Sequence, residues 1–180
     1  MNQAIADSTA AIRLDPSLAV PLRVRGLART CGIESLDRYL RNQANQDLRR
    51  RANSVFVLID PSKPKQILGY YTLCATARGY GDVPVEARKY IPRYPLVSAT
   101  LIGRLAIVTP QQGGGLGALL LADAVRRAYA AASSVGSCML VVDAIHEQAA
   151  AFYEANGFVR LPESLRLVLP MRAISKLLEA

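Results

Sequence analysis

The chain has no tryptophan, three phenylalanines and a single histidine, His146, among its 180 residues. One histidine excludes a zinc site of the usual ligand spacing, and its local neighbours supply no Ser-His-Asp set. No metal is therefore expected. Cysteine is sparse too: Cys31, Cys74 and Cys138 are far apart, with no CxxC. That argues against a disulfide framework and for a reducing cytosol, so a cytoplasmic location is expected. No apolar run reaches the roughly 18 residues of a membrane span. The opening MNQAIADSTAAIRLDP lacks the basic-then-apolar pattern of a signal peptide, so no membrane association is expected.

Acidic residues are the other shortage. The formal net charge is +8, and its distribution is lopsided. Through Arg104 there are 16 Lys/Arg against 8 Asp/Glu, and beyond Arg104 the count is 6 against 6. A surplus confined to one part suits a polyanion such as nucleic acid; ordinary solvating charge is the alternative. The 51% of hydrophobic residues suffices for one globular domain with a substantial core.

The apolar spacing predicts a sequence of elements. Ile33, Leu36, Leu40, Ala44 and Leu48 form one helical stripe over 33–52, with arginines elsewhere on the wheel. SVFVLID and QILGYYTLCAT, separated by PSKPK, read as a hairpin. DVPVEARKYIPRYP reads as a short helix capped by Asp82 and stopped by Pro92 and Pro95. SATLIGRLAIV is a strand leading into a glycine-rich loop and a helix of about 17 residues. CMLVVDA has the composition of a central strand buried on both faces. HEQAAAFYEA is a helix that ends at Asn156-Gly157, where glycine supplies a left-handed cap. FVRL and SLRLVLPM close the chain as two strands. The order predicts an α/β (or α+β) domain on a mixed sheet. The first 28 residues read either as a fragment like a tetratricopeptide repeat or as a short helix and strand; no second copy follows at the required period.

Four of the 12 glycines crowd into TPQQGGGLGALLLADA, where they cannot pack a core and add backbone entropy. A P-loop fails, because no lysine lies between Val108 and Arg126. A Rossmann fingerprint fits Gly113–Ala118 literally, with Asp143 ending the next strand. Against it stand the residues Thr109–Gln112 before the glycines and the lack of a second nucleotide-binding half. In the third reading the stretch resembles the acyl-CoA loop of the GNAT acetyltransferases, whose pattern is Q/R-x-x-G-x-G/A. In it Gln112, Gly113, Gly114, Gly115, Leu116, Gly117 and Ala118 present bare amides at a helix N-terminus to a pyrophosphate. A second segment, AAAFYEANGF, places Phe152 and Tyr153 on the later helix. A phenol with a pKa of about 10 can protonate a departing thiolate; the alternative is a core tyrosine.

From Cys31 through Met171 the chain resembles a branch of the GNAT acetyltransferases, the toxins of type II toxin–antitoxin modules. The resemblance rests on CGIESLDRYLRNQANQD, GYYTL, IPRYP, LIGRLAIV, QQGGGLGALLLADA, VVDA and FYEANGF, in that order and spacing. It implies a GNAT-like mixed, splayed β-sheet flanked by helices in a single domain, residues 31–180, after a segment 1–30 that fits the family poorly. It implies acetyl transfer from acetyl-CoA to the α-amino group of aminoacyl-tRNA, blocking translation, with a ribbon–helix–helix antitoxin as partner. A homodimer is left open. The implied site has Tyr153 as proton donor. Leu105, Ala106, Ile107 and Val108 lie along the pantetheine arm, the loop Gln112–Ala118 and Phe152 lie at the cofactor, and His146 is a further candidate there. Arg49, Arg50, Arg88, Lys89 and Arg93 are the candidates for RNA phosphates. Gly114 departs from the pattern, since relatives usually carry arginine or lysine there. The alternatives are a GNAT enzyme for a small amine or protein N-terminus, and a non-catalytic RNA- or partner-binding module of the same fold.

Overall fold

The β-branched and aromatic runs form the expected hairpin, with β2 at Ser54–Asp60 and a long β3 at Lys63–Gly79. The computed structural model describes residues 13–15, 30–60 and 62–178. Before β2, a short strand β1 (Arg13–Asp15) pairs with it antiparallel, Leu14 opposite Leu58. The remainder of the repeat-like or helix-and-strand reading of the N-terminus lies outside the described residues.

The chain divides into two compact units, Met1–Thr72 with Arg104–Leu120, and Leu73–Gly103 with Leu121–Ala180. β3 and the later strand β4 (Leu96–Ile107) run through both. In the first unit the strand order is β1-β2-β3-β4. Helices α1 (Glu34–Asn42) and α2 (Ala44–Arg49) bury Leu36, Tyr39, Leu40 and Ala44 against Val57, Ile59, Ile67, Tyr70 and Ala106. The expected single helix over 33–52 is thus two. Gln43, at φ −118°, breaks the ladder, and its carbonyl accepts from the Gln46 and Asp47 amides to start a new helix.

In the second unit the order is β3-β4-β5-β7-β6. β5 (Met139–Asp143) runs parallel to β4 and antiparallel to β7 (Arg166–Pro170), so the sheet is mixed. Met139 through Val142 are all buried, as a strand covered on both faces requires. Helix α3 (Val85–Arg88) starts from Pro84, and Asp82 lies in a preceding 3-10 turn, Tyr80–Asp82, so the expected Asp82 cap is not formed. α4 (Leu116–Val135) begins in the first unit and continues into the second, and α5 (Glu147–Ala155) follows β5. Gly157, at φ +90°, supplies the left-handed cap read from the sequence. β6 (Val159–Arg160) pairs with β7, and a final helix α6 (Met171–Leu178), which the sequence reading missed, follows Pro170.

One glycine fixes how closely the first unit packs. A Cβ on Gly69 of β3 would lie 2.5 Å from Ile107 Cδ1 and 2.7 Å from the Ala106 carbonyl oxygen. Those atoms belong to the end of β4, which leads into the glycine loop, so β3 must stay bare there for the loop to sit where it does. Gly69→Ala is expected to destabilise by about 2 kcal/mol in urea denaturation, as overpacking does. Gly81→Ala, whose Cβ meets nothing within 4 Å, should stay within about 0.5 kcal/mol of wild type.

Candidate active site

The glycine loop lies wholly in the first unit. After β4 a 3-10 turn, Thr109–Gln111, brings the chain to Gln112, and α4 begins four residues later. Gly113 and Gly115 have φ of +80° and +82°, a conformation that costs an L-residue roughly 1–2 kcal/mol. Gly114 has no such φ, and a Cβ there would approach only the Gln111 carbonyl, at 3.8 Å. Two of the glycines are therefore demanded by the backbone and the third is not.

The consequence is a row of unused donors. The first bond of α4 is Leu119 N–H to the Gly115 carbonyl, 3.2 Å. Among the described residues, no N–H from Gly113 through Ala118 makes a well-formed hydrogen bond; that of Gly114 only closes the loose turn over Gln112 and Gly113. Four orphan donors are normal for a helix start, and Ser, Thr, Asp or Asn ordinarily satisfies one. Here no capping side chain intervenes, and the positive end of a 20-residue helix is left open. This is the donor set that an anion with several oxygens fits.

β4 delivers a second feature. Its ladder with β5 runs from Ala99↔Met139 to Ile102↔Val142 and stops, although β4 continues to Ile107. Leu105 is half-buried, and Ala106, Ile107 and Val108 are buried; the Val108 N–H donates to the Leu68 carbonyl at 2.9 Å. Gln112 is used differently from the expectation of a cofactor contact. Its Nε2 donates to the carbonyls of both Cys31 and Ile107, each at 2.9 Å.

The second unit holds the other candidates on α5. His146 is its N-cap: the Ala149 N–H donates to His146 Nδ1 at 3.0 Å. Tyr153 is buried to 8% exposure, with ring edges against Phe152 at 5.2 Å and Phe158 at 5.6 Å. Its hydroxyl makes no hydrogen bond among the described residues, yet it is not one of the sealed, unpartnered polar atoms. Burial pushes its pKa up to about 12, so the phenol keeps its proton throughout the physiological range.

The basic candidates separate into free and spent groups. Arg49, Arg50 and Arg93 are exposed, and Lys89 is exposed with its ammonium 4.9 Å above the Tyr90 ring. Arg88 is committed to the fold: Nε donates to the Val83 carbonyl and Nη2 to that of Gly81, both at 2.7 Å. Asp143, the ribose acid of the Rossmann alternative, is ion-paired to Arg166. The sequence reading overlooked Arg104, whose guanidinium lies 3.6 Å above the Tyr39 ring. It also overlooked Gly69, although a glycine inside a strand is a recognisable signal of close approach.

No protein-family profile matches the chain. A tRNA-acetylating toxin of Mycobacterium tuberculosis is 34% identical over 142 residues, covering 78% of this chain and 82% of the relative. The chain belongs to the family of GNAT-fold tRNA-acetylating toxins. Solved members of similar structure include a tyrosine-to-phenylalanine mutant of KacT, with a TM-score of 0.81 and 28% identity over 93% of this chain and 99% of that one. AtaT complexed with acetyl-methionyl-tRNAfMet gives a TM-score of 0.79 and 30% identity over 93% of this chain and 98% of that one. A tyrosine-to-phenylalanine mutant of AtaT has also been solved with acetyl-CoA and the C-terminus of the antitoxin AtaR. The mixed α/β sheet of this tRNA-acetylating toxin family member agrees with the fold expected from its motifs.

Two outcomes are expected at these sites. Gly113→Ala and Gly115→Ala should each lose about 1 kcal/mol or more in denaturation because of their φ, while Gly114→Ala stays within about 0.5 kcal/mol. The second concerns Tyr153. Between pH 10 and 12 the unfolded chain releases this proton and the folded chain retains it, so the unfolded state binds fewer protons and stability falls as pH rises. The contribution is about 1.4 kcal/mol per pH unit across that window. Urea midpoints at pH 8 and pH 11 should therefore fall less for Tyr153→Phe than for wild type.

Proposed function

We propose that this chain transfers the acetyl group of acetyl-CoA to the α-amino group of an aminoacyl-tRNA and so blocks translation. The observation that carries the reading is the run of N–H groups from Gly113 through Ala118 at the start of α4, none with a well-formed hydrogen bond among the described residues, in a chain of this family. A diphosphate has the oxygens to accept several of them, and no side chain at Gly113–Gly115 stands in its way. Gly114 has room for the cation that relatives usually carry, so that difference reflects a side chain and not a backbone demand.

Acetyl-CoA, when bound, supplies an activated acetyl thioester whose sulfur leaves as a thiolate. On this reading the backbone of Leu105–Val108, beyond the end of the β5 ladder, holds the pantetheine arm. Tyr153 holds its phenolic proton and delivers it to the departing sulfur. The burial that weakens the phenol as an acid also strengthens a thiolate held in the same apolar surroundings as a base, so the two stay matched. The acceptor needs little help, and the proton it sheds on attacking the carbonyl passes to water, from which the phenol regains its own. An α-amino group titrates at about 7.7–8.0 and is partly neutral at pH 7, whereas a lysine at about 10.4 is not. His146, occupied as a helix cap, is not required as a base.

Arg49, Arg50, Lys89 and Arg93 are the exposed cations for RNA phosphates; Arg88 supports the fold instead. Residues 31–180 carry the acetyltransferase, which works in the cytoplasm and has a ribbon–helix–helix antitoxin as its neutralising partner. That AtaT has been solved with the C-terminus of an antitoxin supports this choice of partner.

Incubation with labelled acetyl-CoA and charged tRNA, read by mass spectrometry, is expected to give N-acetyl-aminoacyl-tRNA. Label appearing only on a free amine or a protein N-terminus would overturn the acceptor. Tyr153→Phe should lower kcat by about 10²-fold, the usual worth of a positioned proton donor. The loss should be equal at pH 6.5 and pH 9, because the phenol is fully protonated at both, while CoA affinity in calorimetry stays unchanged. Near-wild-type turnover would remove Tyr153 from this role.

A further inference from the structure

The glycine loop is tied to a distant part of the chain by bonds that a diphosphate ligand does not need. Gln112 Nε2 has two hydrogens and both are used, one on the Cys31 carbonyl and one on that of Ile107. Two carbonyl acceptors also settle which end of the amide is nitrogen. Nε2 therefore has no hydrogen left for a phosphate, and the bridge is the side chain's function. Beside it, the Thr109 N–H and Oγ1 both donate to the Thr30 carbonyl, at 2.9 and 3.0 Å. Gly32, at φ +84°, supplies the left-handed turn of this segment, and a Cβ there would come only into van der Waals contact with Thr109 Oγ1, at 3.4 Å.

The same short segment holds the start of α1. The Cys31 N–H donates to Asp37 Oδ1 at 2.9 Å, and the Ile33 carbonyl accepts from the Leu36 and Asp37 amides at 3.1 Å. A continuous path thus runs from the end of β4 through Gln112 and the Cys31 peptide to the first turn of α1. Further along that helix, Arg104 of β4 lies on the Tyr39 ring, and Tyr70 donates its hydroxyl proton to the Leu36 carbonyl at 2.8 Å. α1 carries Arg38 and Arg41, and Arg49 and Arg50 lie at the end of α2, all exposed. Among the described residues, no ion pair involves any of the four.

We propose that Gln112 is a positioning residue that couples ligand occupancy of the glycine loop to the seating of α1, and thereby to the arginines that meet the RNA acceptor. The proposal rests on the diphosphate reading of the loop. A diphosphate accepting from the amides of Gly113–Ala118 orders the loop, Gln112 is ordered with it, and the Cys31 carbonyl is held. No bond is made or broken in the coupling; it is a shift in how often the latch is closed.

The test uses the full chain with CoA as the probe. Calorimetry first measures CoA binding to wild type and to Gln112→Met, which keeps the length and removes both donors. Hydrogen exchange is then followed at the Cys31, Leu36 and Asp37 amides with and without saturating CoA. In wild type CoA should slow exchange at these amides by about tenfold, and in Gln112→Met that slowing should vanish while CoA still binds. With aminoacyl-tRNA as the varied substrate, Gln112→Met should raise KM with kcat at saturation little changed. Equal slowing in both proteins, or an unchanged KM, would overturn the coupling. Absence of CoA binding to wild type would overturn the loop reading beneath it, a distinct result. Should Gln112→Met not fold, Thr109→Val, which removes only the Oγ1 bond to Thr30, carries the same comparison with a smaller expected loss.

Discussion

A run of amide hydrogens, Gly113 through Ala118, without a well-formed partner among the described residues is the constraint around which the first unit is arranged. A helix start normally hides part of this deficit with a polar cap. α4 instead begins from glycines, and its first internal bond is Leu119 to Gly115. Placing that start at the end of β4 requires β3 to be bare at Gly69, because any Cβ there would collide with Ile107 and Ala106. It also requires left-handed turns at Gly113 and Gly115. Each glycine therefore serves the same end by a different physical route, one by steric clearance and two by backbone conformation.

Around this open helix end the polar groups divide into those used by the fold and those left available. Arg88, Gln112 and His146 all look like ligand-binding residues in a sequence, yet each makes hydrogen bonds inside the fold: Arg88 through Nε and Nη2, Gln112 through both hydrogens of Nε2, and His146 through Nδ1. Tyr153 shows the opposite arrangement: its ring is packed on two phenylalanines while its hydroxyl has no partner among the described residues. Tyr39 differs again. Its hydroxyl is sealed in without a geometric hydrogen bond, burial pushes its pKa up to about 12, and Arg104 covers its ring. The free phenol has the features of a reagent, whereas the covered one serves packing.

Charge follows the same division. The ion pairs found among the described residues join Arg126 and Arg127 to Asp123, Arg160 to Glu147, and Arg166 to Asp143. All lie after Arg104, in the part of the sequence where acids and bases are equal in number. Among the described residues, the arginines on α1 and α2 have no such partners, so their share of the surplus remains as unneutralised surface charge. Such charge is what a polyanion contact requires, and what makes it sensitive to salt.

The sequence by itself determined the local features. The glycine loop before an apolar helix, the buried β5, the capped end of α5 and the set of motifs around Tyr153 were all legible, because each depends on residues within a few positions of one another. The break at Gln43 and the helix α6 after Pro170 escaped, since periodicity marks an apolar face more clearly than it marks where a helix stops or restarts. Only the tertiary structure decided the partners. That Gln112 would find Cys31, that Thr109 would find Thr30, and that Arg104 would cover Tyr39 depends on bringing together residues 65 to 81 positions apart. A hydrogen-bonding side chain carries no record of which distant carbonyl it will meet; packing of the intervening strands settles that choice.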